Sequence, residues 1–128
     1  MKILGIGTDI VEVSRVKNSI KNESFVKRIY AKNEIIDSQK TKFKASFFSK
    51  RFAAKEALMK AAGTGFRNGI NFKDIYVAND RLGKPTIRYN NKVKKLIFSI
   101  FKIKSFNIFL SLSDEKKYCI AFVIIQKN

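Results

Sequence analysis

The stretch that decides the fold is Arg51–Gly65, RFAAKEALMKAAGTG. Its Ala, Leu, Met, Lys and Glu residues are strong helix formers, and no proline interrupts them. The pattern predicts one long helix from about Phe43 to Ala62, with Gly63 as the residue just beyond its end. At helical spacing Phe48, Phe52, Met59 and Ala62 form a tight apolar stripe. Phe47, Ala54, Leu58 and Ala61 widen it past half the circumference, so this helix should be mostly buried. Glu56 falls at the stripe's margin, near Ser49 and Ala53. Those small residues should leave room for a ligand or another chain to reach the carboxylate. Lys60 follows one turn later, and the plain reading of Glu56 with Lys60 is an i,i+4 ion pair worth about 0.2–0.5 kcal/mol.

Working outward toward the N-terminus, Ile3–Val13 is rich in Ile and Val and reads as a strand, or two broken by Gly5 and Gly7. Ser14 is a candidate N-cap for a short helix to about Ile20, and Ser24 for another carrying Phe25, Val26, Ile29 and Tyr30. A third helical turn is expected at Asn33–Gln39, followed by a polar loop. Toward the C-terminus, Ile75–Ala78 and Pro85–Tyr89 read as a hairpin, and Lys92 to about Phe101 as a helix. Asn107–Ser113 and Tyr118–Gln126 read as strands joined by Asp114–Lys117. The last strand is apolar on both faces, so it should be central or covered. The fold class is α+β: an antiparallel sheet packed against a long central helix and shorter helices, in a single domain over residues 1–128.

Composition narrows the function. The chain is 45% hydrophobic, with 12 Phe and no Trp, as a folded globular domain should be. It carries 27 Lys and Arg against 10 Asp and Glu, a net charge of +17. Such a charge suits an anionic partner: nucleic acid, membrane, nucleotide phosphates or an acidic protein. Cys119, in an apolar run, is the only cysteine, so no disulfide forms within the chain. With no histidine, His-based triads and His metal ligands are excluded, and proton transfer must use Asp, Glu, Lys, Tyr or water. The N-terminus is too soon acidic for a signal peptide, and no apolar run approaches the roughly 18 residues of a membrane span. The expectation is a cytoplasmic protein. Asp9 closes an apolar run, and Glu56 lies on the long helix. Two carboxylates on separate elements, with Lys and Arg nearby, suit a magnesium ion bridging to phosphate oxygens.

Four segments occur in order: GIGTDIVEVSR at 5–15, RFAAKEALMKAAGTG at 51–65, GKP at 83–85 and FLSLSDEKKYCIAFVI at 109–124. Together they resemble the holo-acyl-carrier-protein synthases, the small bacterial phosphopantetheinyl transferases. The resemblance implies transfer of the 4'-phosphopantetheine arm of coenzyme A to a serine of acyl carrier protein, releasing adenosine 3',5'-bisphosphate, in fatty acid biosynthesis. It implies Asp9 and Glu56 as magnesium ligands and Lys60 as the catalytic lysine beside the reacting phosphate. Arg51, Gly63, Thr64, Gly65, Gly83, Lys84 and Pro85 match positions lining the coenzyme A site. Arg15 matches a basic residue of the first helix that meets the acidic carrier protein, where Lys17, Lys21, Lys27 and Arg28 could add charge. A homotrimer with active sites between subunits is implied as well.

One position departs from the pattern. Where the family usually has histidine before the last strand, this chain has Asp114, which also suits the head of a turn. A small basic nucleic-acid-binding module would explain the charge but not Asp9, Glu56 or the small residues near Glu56, and no nucleic-acid-binding motif is apparent. An inactive relative kept as an interaction protein would rest on Asp114 alone.

Overall fold

The long helix sets the architecture. In the computed structural model, which describes residues 2–66 and 69–128, it runs from Lys44 to Ala62. Gly63 ends it with φ of 82°, in the left-handed region that costs an L side chain energy, as expected. In chain order the elements are β1 (Lys2–Glu12), α1 (Val13–Ser19), α2 (Glu23–Ile29), α3 (Lys32–Ser38), α4 (Lys44–Ala62), β2 (Ile75–Asn79), β3 (Pro85–Tyr89), α5 (Asn91–Phe101), β4 (Phe106–Asp114) and β5 (Tyr118–Lys127). A short 3-10 turn at Phe72–Asp74, not expected from the sequence, precedes β2.

The α+β class holds, with two antiparallel sheets rather than one. The larger has the order β1-β5-β4, and the smaller is the β2–β3 hairpin. β5 is central, as its apolar character required. Its inner residues Cys119, Ala121, Val123 and Ile125 are buried against α4 with Val11 and Leu110. The outer face of the same sheet carries Ile6, Ile10, Phe109, Ile120 and Phe122, all exposed. β5 is therefore central, with one face covered by α4 and the other exposed.

Gly5 and Gly7 do not break the first strand. β1 is continuous and pairs with β5 along its length, with one irregularity between Ile3 and Gly5. The glycines are there for space. A Cβ at Gly5 would lie 2.0 Å from the carbonyl oxygen of Ala61, and one at Gly7 1.9 Å from that of Ala57. Strand and helix backbones meet there with no side chain between them.

The caps differ in detail. Asn22, not Ser24, caps α2, accepting from the Ser24 and Phe25 amides. Ser14 lies inside α1, with its hydroxyl on Glu12. Asn90 caps α5, which buries Val93 and Ile97. The ring of Phe106 on β4 packs against Tyr89 of β3 and Phe98 of α5, at centroid distances of 5.5 and 5.7 Å, joining the hairpin to the main sheet. Among the described residues, no helix is long and apolar enough to cross a membrane.

Candidate active site

The close contact between β1 and α4 brings three predicted residues together. Asp9 stands on β1 two residues after Gly7, and its neighbours across the strand pair are fixed by the Asp9–Ala121 register. Lys60 stands in the last turn of α4. Its Nζ donates to Asp9 Oδ1 at 3.0 Å and to the Thr8 carbonyl oxygen at 3.0 Å. Lys60 therefore pairs with Asp9 rather than closing the i,i+4 ion pair with Glu56. Thr8 itself is no turn residue; its hydroxyl donates to the Ala121 carbonyl oxygen across the sheet.

Glu56 lies one turn before Lys60. Burial pushes its carboxyl above the usual carboxylate range, the negative charge of Asp9 pushes it the same way, and Lys60 opposes both. Two carboxylates thus repel one another at a site where one ammonium only partly offsets them. A second, doubly charged cation would relieve that repulsion. No group of three or more Asp, Glu, His or Cys is found among the described residues, so protein ligation would stop at two carboxylates. That donor set fits Mg²⁺, which commonly keeps waters and substrate phosphates as its remaining ligands.

The space beside Glu56 is not where the sequence suggested. Ser49 and Ala53 are fully buried, and the Ser49 hydroxyl bonds back to the Ala45 carbonyl oxygen. They serve packing, so any approach to the half-buried Glu56 carboxylate is from another side.

Gly63, Thr64 and Gly65 follow Lys60 at the C-terminal end of α4 and are largely exposed; the Gly63 N–H donates to the Met59 and Lys60 carbonyl oxygens and the Gly65 N–H to that of Met59. Gly83, Lys84 and Pro85 lie at the β2–β3 turn. Asp80 Oδ1 accepts from both the Leu82 and Lys84 amides, which makes that turn a defined shape. Asp80 was not singled out from sequence, although Asp at a turn is its signal. The turn shares no hydrogen bond with Asp9, Glu56 or Lys60 among the described residues.

Arg51 is not brought to this cluster. Nine residues before Lys60, it lies on the opposite side of α4, about 180° round at about 100° per residue. It is buried, with its guanidinium 3.5 Å from the centroid of the Phe47 ring and its Nε lacking a hydrogen-bond partner. Burial lowers its pKa, and Glu34, Asp37 and Tyr30 oppose that. Within one chain Arg51 therefore cannot act as a second clamp beside Lys60.

Lys55 was not anticipated as a buried residue. It and Glu34 are both fully buried, joined at 2.6 Å. A lysine in a helix hydrophobic over most of its circumference was the available signal.

A groove of about 1380 Å³ runs between α1, residues 41–47 and the β4–β5 turn. Seven lysines line it against Glu12, Asp114 and Glu115. Asp114 accepts from the Ser46 hydroxyl at 3.0 Å and lies 3.9 Å from Lys50 Nζ, so it latches the end of β4 to α4. Arg15 is exposed on α1.

Known proteins resemble this chain over its whole length. A holo-[acyl-carrier-protein] synthase of Pelagibacter ubique is 59% identical over 128 residues, covering all of both chains. One of Clostridium botulinum is 45% identical, covering 97% of this chain and 98% of that protein. The crystal structure of a holo-[acyl-carrier-protein] synthase from Neisseria meningitidis superposes with a TM-score of 0.87 at 37% identity, covering 98% of this chain and 100% of that one. That of Bacillus anthracis, in complex with CoA (3',5'-ADP), gives 0.81 at 33% identity, covering 98% of each chain. Residues 5–123 match the family profile, and the chain belongs to the 4'-phosphopantetheinyl transferase superfamily.

Proposed function

We propose that this chain transfers the 4'-phosphopantetheine group of coenzyme A to a serine of acyl carrier protein, converting the apo form to the holo form for fatty acid biosynthesis in the cytoplasm. The observation that carries the reading is the Asp9–Lys60–Glu56 cluster, assembled from β1 and α4 within the superfamily's ordered motifs. In the reaction the serine oxygen forms a bond to the phosphorus bearing the pantetheine arm. The bond from that phosphorus to the bridging oxygen breaks, adenosine 3',5'-bisphosphate leaves, and the serine proton is released. Negative charge grows on the leaving phosphate.

Asp9 and Glu56 would hold Mg²⁺, which when bound neutralises pyrophosphate charge and orients the reacting phosphate. Lys60 adds a monovalent cation at the same place. Its bonds to Asp9 and the Thr8 carbonyl hold the ammonium over the strand, which limits its freedom before the reaction begins. Gly63–Gly65 and the Gly83–Pro85 turn line the coenzyme A site, and their exposed backbone allows close approach of a large ligand. Acyl carrier protein is acidic, and it docks on α1 through Arg15, with the surrounding lysines raising the encounter rate.

The reading includes a homotrimer of single-domain chains. The exposed apolar face of the β1-β5-β4 sheet, with Ile10 at 62% and Ile6 at 55% exposure, is supported as the surface that three copies bury. Arg51 and Lys60 point from opposite sides of α4, so coenzyme A at one chain's carboxylates would meet the Arg51 side of a neighbouring copy. A mass measurement tests the transfer itself. Apo acyl carrier protein incubated with this protein, coenzyme A and Mg²⁺ should gain the mass of one phosphopantetheine. No gain at any Mg²⁺ concentration rejects the reading.

A further inference from the structure

Beside Gly5 and Gly7, α4 meets β1 backbone to backbone, with no strand side chain between them to key the roll of the helix; the Lys60 bonds to Asp9 and Thr8 lie in its last turn. Yet the roll decides where Glu56 stands relative to Asp9. A carboxylate about 5–6 Å from a helix axis moves about 1 Å for a 10° roll. Functional constellations must be held within about 0.5 Å and 10–20° of their productive geometry. Mg²⁺ is strict, with oxygen distances of about 2.0–2.1 Å in near-octahedral arrangement.

One residue before Glu56, the helix is clamped from the other flank. All three donors of the Lys55 ammonium are used: to Glu34 Oε1 at 2.6 Å, the Ile29 carbonyl oxygen at 2.8 Å and the Phe72 carbonyl oxygen at 3.2 Å. Glu34 in turn accepts from the Ala31 amide at 2.9 Å and, through Oε2, from the Val77 amide at 3.0 Å. One ion pair thereby ties the end of α2, the start of α3, the 3-10 turn and β2 to a single point on α4. Phe72 of that turn also stacks on Phe52, one turn before Glu56, at a centroid distance of 5.4 Å. A buried ion pair is weak evidence for stability, because desolvation offsets much of its attraction, but its directional bonds can specify one arrangement.

We infer that Glu34 and Lys55 are positioning residues for the metal-binding carboxylates, fixing the roll of α4 so that Glu56 faces Asp9. The inference rests on the proposed role of Asp9 and Glu56 as Mg²⁺ ligands. It makes the pair part of the reaction's machinery although neither residue touches substrate or metal.

The test is the Mg²⁺ dissociation constant of the full-length protein saturated with coenzyme A, measured by calorimetry without carrier protein. The double substitution Glu34→Gln with Lys55→Met keeps side-chain volume and removes both charges together, so neither is left unpaired. It should weaken Mg²⁺ binding by about 10-fold, the low end for losing an outer partner of a metal site. The Michaelis constant for carrier protein should stay as in the parent. Tyr30→Phe destabilises the same core through its lost bond to the Phe48 carbonyl oxygen and should leave Mg²⁺ binding unchanged. Should the double variant not fold, Glu34→Gln alone decides, with a smaller loss in the same direction. Parent-like Mg²⁺ binding in the folded variant, or an equal loss in Tyr30→Phe, overturns the inference. A parent protein that binds no Mg²⁺ instead rejects the metal assignment on which it rests.

Discussion

The backbone of Gly7 lies so close to Ala57 that a Cβ on the strand would sit 1.9 Å from the helix carbonyl oxygen. Real Cβ atoms do not come under about 3 Å, so strand and helix would have to part by about 1 Å. The same contact holds Asp9, two residues on, beside Lys60. Gly7→Ala should cost about 3 kcal/mol, in the range for overpacking a tight interface, and should remove activity as well. Gly63→Ala is the contrast. It meets no atom within 4 Å but keeps φ at +82°, so it should cost about 1–2 kcal/mol from strain alone. Denaturant unfolding of both variants checks the order. Equal costs would mean that the strand–helix contact relaxes freely.

The carboxylate pair makes a prediction about pH. Glu56 is held above the usual carboxylate range by burial first and by Asp9 second. As pH falls it takes up a proton before an ordinary glutamate would, and a protonated carboxyl is a poor Mg²⁺ ligand. The Mg²⁺ concentration for half-maximal rate should therefore rise as pH falls, beginning above the ordinary glutamate range. Glu56→Gln should abolish that dependence and cut the rate at least about 100-fold at every pH, since it removes a preorganised charge at the reacting phosphate. A chelator should stop the reaction in the parent, and added Mg²⁺ should restore it. A flat Mg²⁺ requirement across acidic pH would remove Glu56 from the metal site.

Tyr30 offers a separate test of the core. Its hydroxyl donates to the Phe48 carbonyl oxygen at 2.9 Å, and burial raises its pKa above the ordinary 10.0, with Glu34 adding to the rise. The folded state therefore keeps a proton that the unfolded chain gives up. That contribution is complete below pH 10 and is lost progressively as pH rises beyond it. Tyr30→Phe should cost about 1 kcal/mol at neutral pH for the lost bond. It should also flatten the decline of stability above pH 10. Urea unfolding between pH 7 and 11 would show both; a parent-like decline in the variant would assign alkaline instability to other groups.

What the sequence made legible follows local physics. Gly63 ends α4 because a left-handed residue is needed there, and β5 is central because both of its faces are apolar. Gly5 and Gly7 left one strand or two open because a strand-interior glycine has two meanings, a bend or a close backbone approach, and only the packed helix distinguishes them. Ser24 and Asn22 were equally able to cap α2, and a two-residue shift in the start decided between them. In the site, residue types carried Asp9 and Glu56. The Lys60–Asp9 contact spans 51 residues and lies outside any local rule, so the i,i+4 partner looked nearer than it is. Lys55 was the least legible. A lysine reads as surface unless other segments supply its partners; here three do, and two of those partners are backbone carbonyls whose position no side-chain pattern announces.

Asp114 stands where the family pattern has histidine, and its contacts show which cation offsets its charge. It is turned toward α4, onto the Ser46 hydroxyl and Lys50. Lys50 belongs to the lysine-lined groove, so Asp114 can set the direction of that cation rather than face an anion itself. The pair is exposed enough that its worth to stability should be small. Its worth to binding is a separate matter, because a held lysine loses less freedom when a phosphate arrives. Asp114→Ala should therefore raise the Michaelis constant for coenzyme A with little change in melting temperature. Lys50→Ala should raise it similarly, and the two together should do no more than Lys50→Ala alone, because Asp114 acts through Lys50. Added salt should narrow the difference between parent and variants. Asp114→His, which restores the family residue, should recover part of the loss seen in Asp114→Ala. If neither Asp114→Ala nor Lys50→Ala moves the coenzyme A constant, Asp114 serves only to pin the strand end to α4, and the groove's cations are not used for this substrate.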